Sequence, residues 1–329
     1  MADLRVKYIG LELKNPIIVG SCALGKSVDG VKRAEEAGAS AIVLKSLFEE
    51  EIRHDFEATQ KALDELHGHP EAYEYARADL ASHMGPERYL RLVESASKAV
   101  SIPVVASINC TTPETWVPYA SQIQASGARA LELNIYAQPY DARVSSEEVE
   151  RSYVEALIAV KKAVDIPVVV KLVPHLTNPM KLAFELSNAG ADGLVLFNRF
   201  FNPDIDIENM ELAGGLTLSE PTEYQNTLRW IGMLYGRSKA DLCAATGIHS
   251  GETAVKMLLA GAAAMQVTSV LYRQKMDVIG QMVQFVERWM ESKGFGAVGD
   301  FRGKVSRFHA AKPELLARAQ YIKAFVHAE

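Results

Sequence analysis

Eight short runs of core-type residues, separated by longer amphipathic stretches, constrain the fold of this chain more than any other feature. They are Pro16-Ile17-Ile18-Val19, Ala41-Ile42-Val43-Leu44, Pro103-Val104-Val105-Ala106, Ala130-Leu131-Glu132-Leu133, Pro167-Val168-Val169-Val170, Gly193-Leu194-Val195-Leu196, Asp241-Leu242-Cys243-Ala244 and Ala263-Ala264-Met265-Gln266-Val267. Continuous apolar runs, rather than strict alternation, mark strands covered on both faces. Between them, Val28 to Glu36, Glu147 to Val164, Met180 to Ala189 and Thr253 to Leu259 carry helical periodicity. Ala-Gly-Ala or Ser-Gly-Ala turns recur at Gly38, Gly127, Gly190 and Gly261. Glycine just past a helix takes the left-handed cap conformation, and the next strand starts at once. Eight such units predict an α/β fold, a (β/α)8 TIM barrel forming one domain over 1–329, whereas a doubly wound sheet would stop at five or six strands.

Two segments break the rhythm. Leu47 to Glu87, after the second strand, and Arg199 to Thr222, after the sixth, are too long for simple βα connections. Lid insertions over the active face are expected there, with a surface excursion used for oligomer contacts as the alternative.

Composition narrows the function class. Charged residues are 23%, the hydrophobic set 48% and the net charge −6, the ordinary globular mix, so nucleic acid is not an expected partner. The start, Met1 to Lys14, has no apolar signal core, and no run of about 18 apolar residues occurs, so neither secretion nor a membrane span is expected. Cys22, Cys110 and Cys243 are far apart and lack metal-ligand spacing, which argues against zinc or an iron–sulfur cluster. A reduced, cytoplasmic protein with no metal is the expectation.

In barrels the chemistry sits where strands end. Here those positions are polar almost every time: Ser21-Cys22, Lys45-Ser46, Asn109-Cys110, Asn134, Lys171, Asn198, Thr246-Gly247 and Thr268-Ser269. A single lysine or asparagine at a strand end is usually a solvated tip or a turn former. Two lysines and three asparagines on one rim suit a flat heterocycle with alternating carbonyl and N–H edges, a flavin with a planar substrate beside it. Thr246 to Glu252 and Val267 to Ser269 each lead from a strand into a helix, so main-chain N–H groups of both can converge on a phosphate; ordinary turn chemistry is the alternative.

Several stretches are shared with a known family. They are Gly10-Leu11-Glu12-Leu13-Lys14-Asn15-Pro16, Leu44-Lys45-Ser46, Ala106-Ser107-Ile108-Asn109-Cys110, Glu132-Leu133-Asn134, Val170-Lys171-Leu172-Val173-Pro174, Ala213-Gly214-Gly215-Leu216 and Asp300-Phe301-Arg302-Gly303. Over nearly its whole length the chain resembles the dihydroorotate dehydrogenase family, and the flavin-bearing domain of dihydropyrimidine dehydrogenase. The resemblance implies bound FMN and a place in pyrimidine biosynthesis. It puts Ser21, Cys22, Lys45, Ser46, Asn109, Asn134, Lys171, Asn198 and Gly215 around the flavin, and Thr246, Gly247, Thr268 and Ser269 on its phosphate. For substrate it implies Lys45, Met84, Gly85, Asn134, Asn198 and Arg199. In that family a hydride leaves the substrate for flavin N5 while a base takes the neighbouring proton, and the lysine stabilises the reduced ring. Family habit also suggests a homodimer. Membrane-associated members carry an extra apolar extension before the barrel; here the barrel begins within the first ~15 residues, so a soluble electron acceptor or partner protein is expected instead of a quinone.

Three positions depart from the pattern. Ala137 stands in Asn134-Ile135-Tyr136-Ala137-Gln138-Pro139 where the family has a catalytic Cys or Ser, and a methyl group cannot accept a proton. Ser82-His83-Met84-Gly85 lacks the family's substrate-binding asparagine, and Asn198 is followed by Arg199 where the family has a small hydroxyl residue. Tyr136, Tyr140, His83, His175 and Cys110 lie in rim loops as candidate replacement bases, with Tyr136 and His83 preferred. The alternative is that none is a base, Cys110 being a small buried hydrophobe and His175 a solvated loop residue. Three functions follow: an FMN oxidoreductase acting on the C–C bond of dihydroorotate or a relative; an FMN enzyme for another small acid or enone, with Arg199 clamping a carboxylate; or a flavin-binding subunit without catalysis.

Overall fold

The structure, a computed structural model, describes residues 2–49, 85–109, 113–135, 141–199, 203–213 and 218–317. Eight parallel strands close on themselves: β3 (Ile17–Val19), β4 (Ala41–Val43), β6 (Val104–Asn109), β7 (Ala130–Asn134), β8 (Val168–Leu172), β9 (Gly193–Leu196), β12 (Asp241–Ala244) and β13 (Ala264–Val267). The pairing of β4 with β6, Ile42 opposite Val104, completes the ring. All eight expected strands are present, and the fold is the (β/α)8 barrel that their apolar runs predict. Short β5 (Leu47–Phe48) extends the rim beside the end of β6.

The outer layer follows the same logic. Helices α1 (Val28–Glu36), α2 (Gly85–Ala99), α3 (Pro113–Ala125), α4 (Ser146–Ala163), α5 (Pro179–Asn188), α6 (Tyr224–Leu234), α7 (Gly251–Ala260), α8 (Ser269–Gln274) and α9 (Val278–Lys293) pack around the strands. Serine or asparagine starts several of them: Ser27, Ser145, Asn178 and Ser250 each accept a first-turn N–H with their side chains. At the other end, Gly38, Gly127, Gly190 and Gly261 all adopt positive φ, between 94° and 122°, as the turn reading requires.

The N-terminal mouth of the barrel is stoppered. Strands β1 (Val6–Tyr8) and β2 (Leu11–Leu13) form a hairpin whose turn residues, Ile9 and Gly10, have φ of 48° and 80°. Two positive φ values suit the twist of a two-residue hairpin, but isoleucine rarely adopts one. Its N–H is held by the Asp241 carboxylate at 2.7 Å. Buried Tyr8 and Ile9 press on Gly193 at the foot of β9, where a Cβ would lie 2.8 Å from an Ile9 methyl. Asp3 in turn donates to the Gly296 carbonyl at 2.8 Å, tying the start of the chain to a cluster of Trp289, Phe295 and Phe301.

Of the two long segments, residues 50–84 lie outside the described residues, as do 200–202 and 214–217. Between the last two, β10 (Asp204–Asp206) and β11 (Glu211–Ala213) pair as an antiparallel hairpin. Ile205, Ile207, Met210 and Leu212 on it are 63–87% exposed, so it packs little apolar surface of its own.

Candidate active site

The barrel interior is apolar apart from a few groups, and these lead upward to a cavity at the C-terminal ends of the strands. Glu132 on β7, Lys171 on β8 and Gln266 on β13 are all buried. Lys171 Nζ donates to Gln266 Oε1 at 2.9 Å and lies 3.5 Å from Glu132 Oε1. Gln266 Nε2 donates to Glu132 Oε2 at 2.5 Å. Both Lys171 and Gln266 reach the floor of the cavity, whose volume is about 480 Å3, in the range of small-molecule sites.

One wall consists of amides. Asn134 and Lys171 are register partners on adjacent strands, and Asn198 Nδ2 donates to Asn134 Oδ1 at 2.8 Å. Asn198 Oδ1 takes the Arg199 N–H at 2.9 Å, so the amide plane is fixed from two sides. On the opposite wall Ser46 donates its backbone N–H to Ser21 Oγ at 2.9 Å, and its hydroxyl meets that of Ser107 at 2.8 Å. Ser107 is itself held by the buried phenol of Tyr89 on α2. Lys45 stands at the mouth with its ammonium 5.0 Å from the centre of the Phe48 ring. Cys22, where burial pushes the thiol pKa up, sits beside Tyr272 of α8, whose phenol oxygen takes the Ala23 N–H at 2.9 Å.

The third side is a tight turn between β12 and α7. Thr246 and Gly247 have consecutive positive φ values of 72° and 73°, and a Cβ on Gly247 would sit 2.2 Å from the Tyr224 nitrogen. Thr246 is locked by its hydroxyl, which donates to the Phe197 carbonyl at 2.9 Å. Gly20 is equally constrained, since a Cβ there would fall 2.6 Å from Thr268 Oγ1. Over this end lies the segment from Leu218 to Glu223. Ser219 donates its N–H to Ser269 Oγ at 3.0 Å, and its hydroxyl bonds His249 Nε2 at 2.9 Å. Burial lowers the His249 pKa. Arg273 pairs with Glu220, and the Arg199 guanidinium with Glu223, Nε to Oε2 at 3.1 Å.

The cavity therefore brings together Ser21, Cys22, Lys45, Ser46, Asn134, Lys171, Asn198, Arg199, Thr246, Gly247, Thr268 and Ser269. Asn109 is buried at the end of β6 but is not among its lining residues. His175 is exposed after β8 and does not line it. His83, Met84, Cys110, Tyr136, Ala137, Tyr140 and Gly215 lie outside the described residues, and Gly85 is the first residue of α2. Arg199 reaches the cavity, but the carboxylate it grips is Glu223 of its own chain. Sequence reasoning passed over Gln266, Ser219 and Tyr272. Gln266 is legible as the polar residue inside the apolar run of β13; the other two reach the site only through the fold.

The donor set fits FMN. Paired amides and a lysine would match the donor and acceptor edge of a flat ring, and close-approach glycines at turns leading into helices would suit a phosphate. Among the described residues no cluster of histidine, cysteine and carboxylate suits a metal.

Fold and site together define a (β/α)8 barrel with a polar cavity at the C-terminal ends of its strands. Comparison with known proteins narrows that class. The family model for dihydroorotate dehydrogenase matches residues 77–290. A protein of Methanosarcina acetivorans described as the catalytic subunit of dihydroorotate dehydrogenase B (NAD(+)) is 30% identical over 303 residues, covering 88% of this chain and 92% of that one. A putative dihydroorotate dehydrogenase A (fumarate) of Aeropyrum pernix is 28% identical over 311 residues, 93% and 98% of the two chains. The catalytic subunit of dihydroorotate dehydrogenase B (NAD(+)) from Pyrococcus abyssi is 28% identical over 308 residues, 91% and 98%. The chain belongs to the dihydroorotate dehydrogenase family, oxidoreductases that act on a CH–CH group. No helix among the described residues is long and apolar enough to cross a membrane.

Proposed function

We propose that this chain is a soluble, cytoplasmic FMN-dependent oxidoreductase of the dihydroorotate dehydrogenase type, moving a hydride between a small planar substrate, dihydroorotate or a relative, and FMN. The observation that carries this reading is the convergence of Lys171, the Asn134–Asn198 amide pair and the Thr246–Gly247 cradle on one cavity. FMN, when bound, supplies a two-electron acceptor. The protein's own part is to hold and orient. Lys171 would place positive charge at the floor; the amide pair would offer matched donors and acceptors to a ring edge; Thr246, Gly247, Thr268 and Ser269 would hold the phosphate. Lys45 would serve substrate and ring together, and Met84, Gly85, Asn134 and Asn198 would complete the substrate contacts. Tyr136 or His83 takes the proton that Ala137 cannot.

Two of the relatives are named as catalytic subunits, which supports a soluble acceptor or a partner protein as the route by which electrons leave. A homodimer is the proposed assembly, on the habit of the family. A second reading has its own observation: Arg199 lines the cavity where the family has a small hydroxyl residue, so a different small acid or enone could be the substrate once its pairing with Glu223 is exchanged for a ligand carboxylate.

The purified protein should be yellow, and mixing it anaerobically with dihydroorotate should bleach the flavin band. A yellow protein that no pyrimidine bleaches would favour the second reading, or a flavin-binding subunit without catalysis. A colourless protein that refuses added FMN would end the flavin assignment.

A further inference from the structure

We propose that Glu132 is the positioning residue for Lys171: with Gln266 as the bridge, it holds that amine as a charged ammonium at the cavity floor. The consequence at the flavin rests on the function proposed above; the pairing itself is a property of the protein without cofactor.

The three side chains come from strands β7, β8 and β13 and meet inside the barrel, where apolar layers are the rule. Glu132 is 1% exposed, and its Oε1 has no hydrogen-bond donor, while Lys171 Nζ stands 3.5 Å away. A buried carboxylate persists only where a cation and hydrogen bonds compensate it. The Gln266 amide is turned to serve both partners, its oxygen toward the ammonium and its nitrogen toward the carboxylate. That polarity matches a charged pair. The other titratable groups nearby do not compete for the role. Tyr8 and Cys243 lie beneath, and burial raises both pKa values, keeping them neutral. Cys22, also raised, is at the mouth, with the cations Lys26, Lys45 and Arg199. Asp241 is at the opposite end, bonded to the Ile9 N–H and 3.9 Å from Arg302. Among the described residues, Glu132 is thus the carboxylate paired with Lys171.

Glu132 does not line the cavity, so it acts through Lys171. In the apoprotein, NMR of side-chain-labelled lysine, with Lys171→Met for assignment, reads the charge on Nζ. In Glu132→Gln the Lys171 signal should lose its proton at a lower pH than in the wild type, by about a tenfold change in acidity or more. Glu132→Asp, which keeps the charge, should restore most of the wild-type behaviour. Identical titration of Lys171 in wild type and Glu132→Gln overturns the proposal. Should Glu132→Gln fail to fold, Lys171→Met decides: the orphaned Glu132 then takes up a proton, and infrared spectroscopy shows a protonated-carboxyl stretch at neutral pH that the wild type lacks. Absence of that band is equally fatal. In FMN-loaded protein, Glu132→Gln should move the flavin midpoint potential toward that of Lys171→Met, with Glu132→Asp near wild type; an unmoved potential contradicts the proposal. A chain that binds no FMN removes the flavin reading while the lysine titration still decides the pair.

Discussion

Gly247 has no room for a side chain and a backbone angle that most side chains avoid. Gly247→Ala is therefore expected to cost about 2 kcal/mol or more, since left-handed strain and a main-chain clash add. A lowered urea midpoint together with weaker FMN retention would show it; a variant as stable as wild type would contradict the geometry. His249 gives a pH dependence. Its pKa is lowered by burial from an ordinary 6.5, so the unfolded chain takes up the proton first as pH falls. Its contribution is thus complete above about 6.5 and is lost as pH drops toward the folded-state value. Thermal unfolding of the wild type should lose stability across that window, and His249→Gln should flatten the loss. At this scale the sequence was partly legible. Lys45, Asn134, Lys171 and Asn198 stood out because each interrupts or ends an apolar run. Glu132 and Gln266 sit within such runs and read simply as strand, although a carboxylate such as Glu132 in a strand covered on both sides demands a partner. Arg199 was recognised as unusual, but its pairing with Glu223, 24 residues away, depends on how the intervening chain returns.

Helix α4 begins with a reciprocal capping box in which Ser145 Oγ takes the Glu148 N–H and the Glu148 carboxylate takes the Ser145 N–H. Ser145→Ala should cost about 1 kcal/mol, read as a shifted urea midpoint with an unchanged slope. The β10–β11 hairpin behaves differently. Ile207 is 79% exposed, so Ile207→Ser should change the unfolding free energy of the protein by no more than about 0.5 kcal/mol; a larger loss would mean that the residue is covered. The contrast explains which elements the sequence revealed. The barrel strands and α1 carry an apolar pattern set by burial, and the glycines at 38, 127, 190 and 261 punctuate it with a backbone conformation only glycine adopts cheaply. The hairpin buries little, so its acidic and apolar alternation, Asp204 to Leu212, carries no such signature and reads as part of a long loop.

For the molecule as a whole, the ring of strands is closed by the β4–β6 pairing, and the start of the chain is tied to the segment after α9 by the Asp3–Ala297 bridge. Phe301 is fully buried against Trp289 and Phe295, with ring centres 4.9 and 5.3 Å away. Phe301→Ala should cost about 3–5 kcal/mol, with the Trp289 fluorescence reporting the loosened packing. The hairpin stopper has a further bearing on turnover. Among the described residues, Tyr8 and Ile9 wedged against Gly193 fill the foot of the barrel, and Lys171 opens to the cavity at the other end. Reactant and product that both occupy that cavity should exclude each other, so each is expected to act as a competitor of the other in initial-rate measurements.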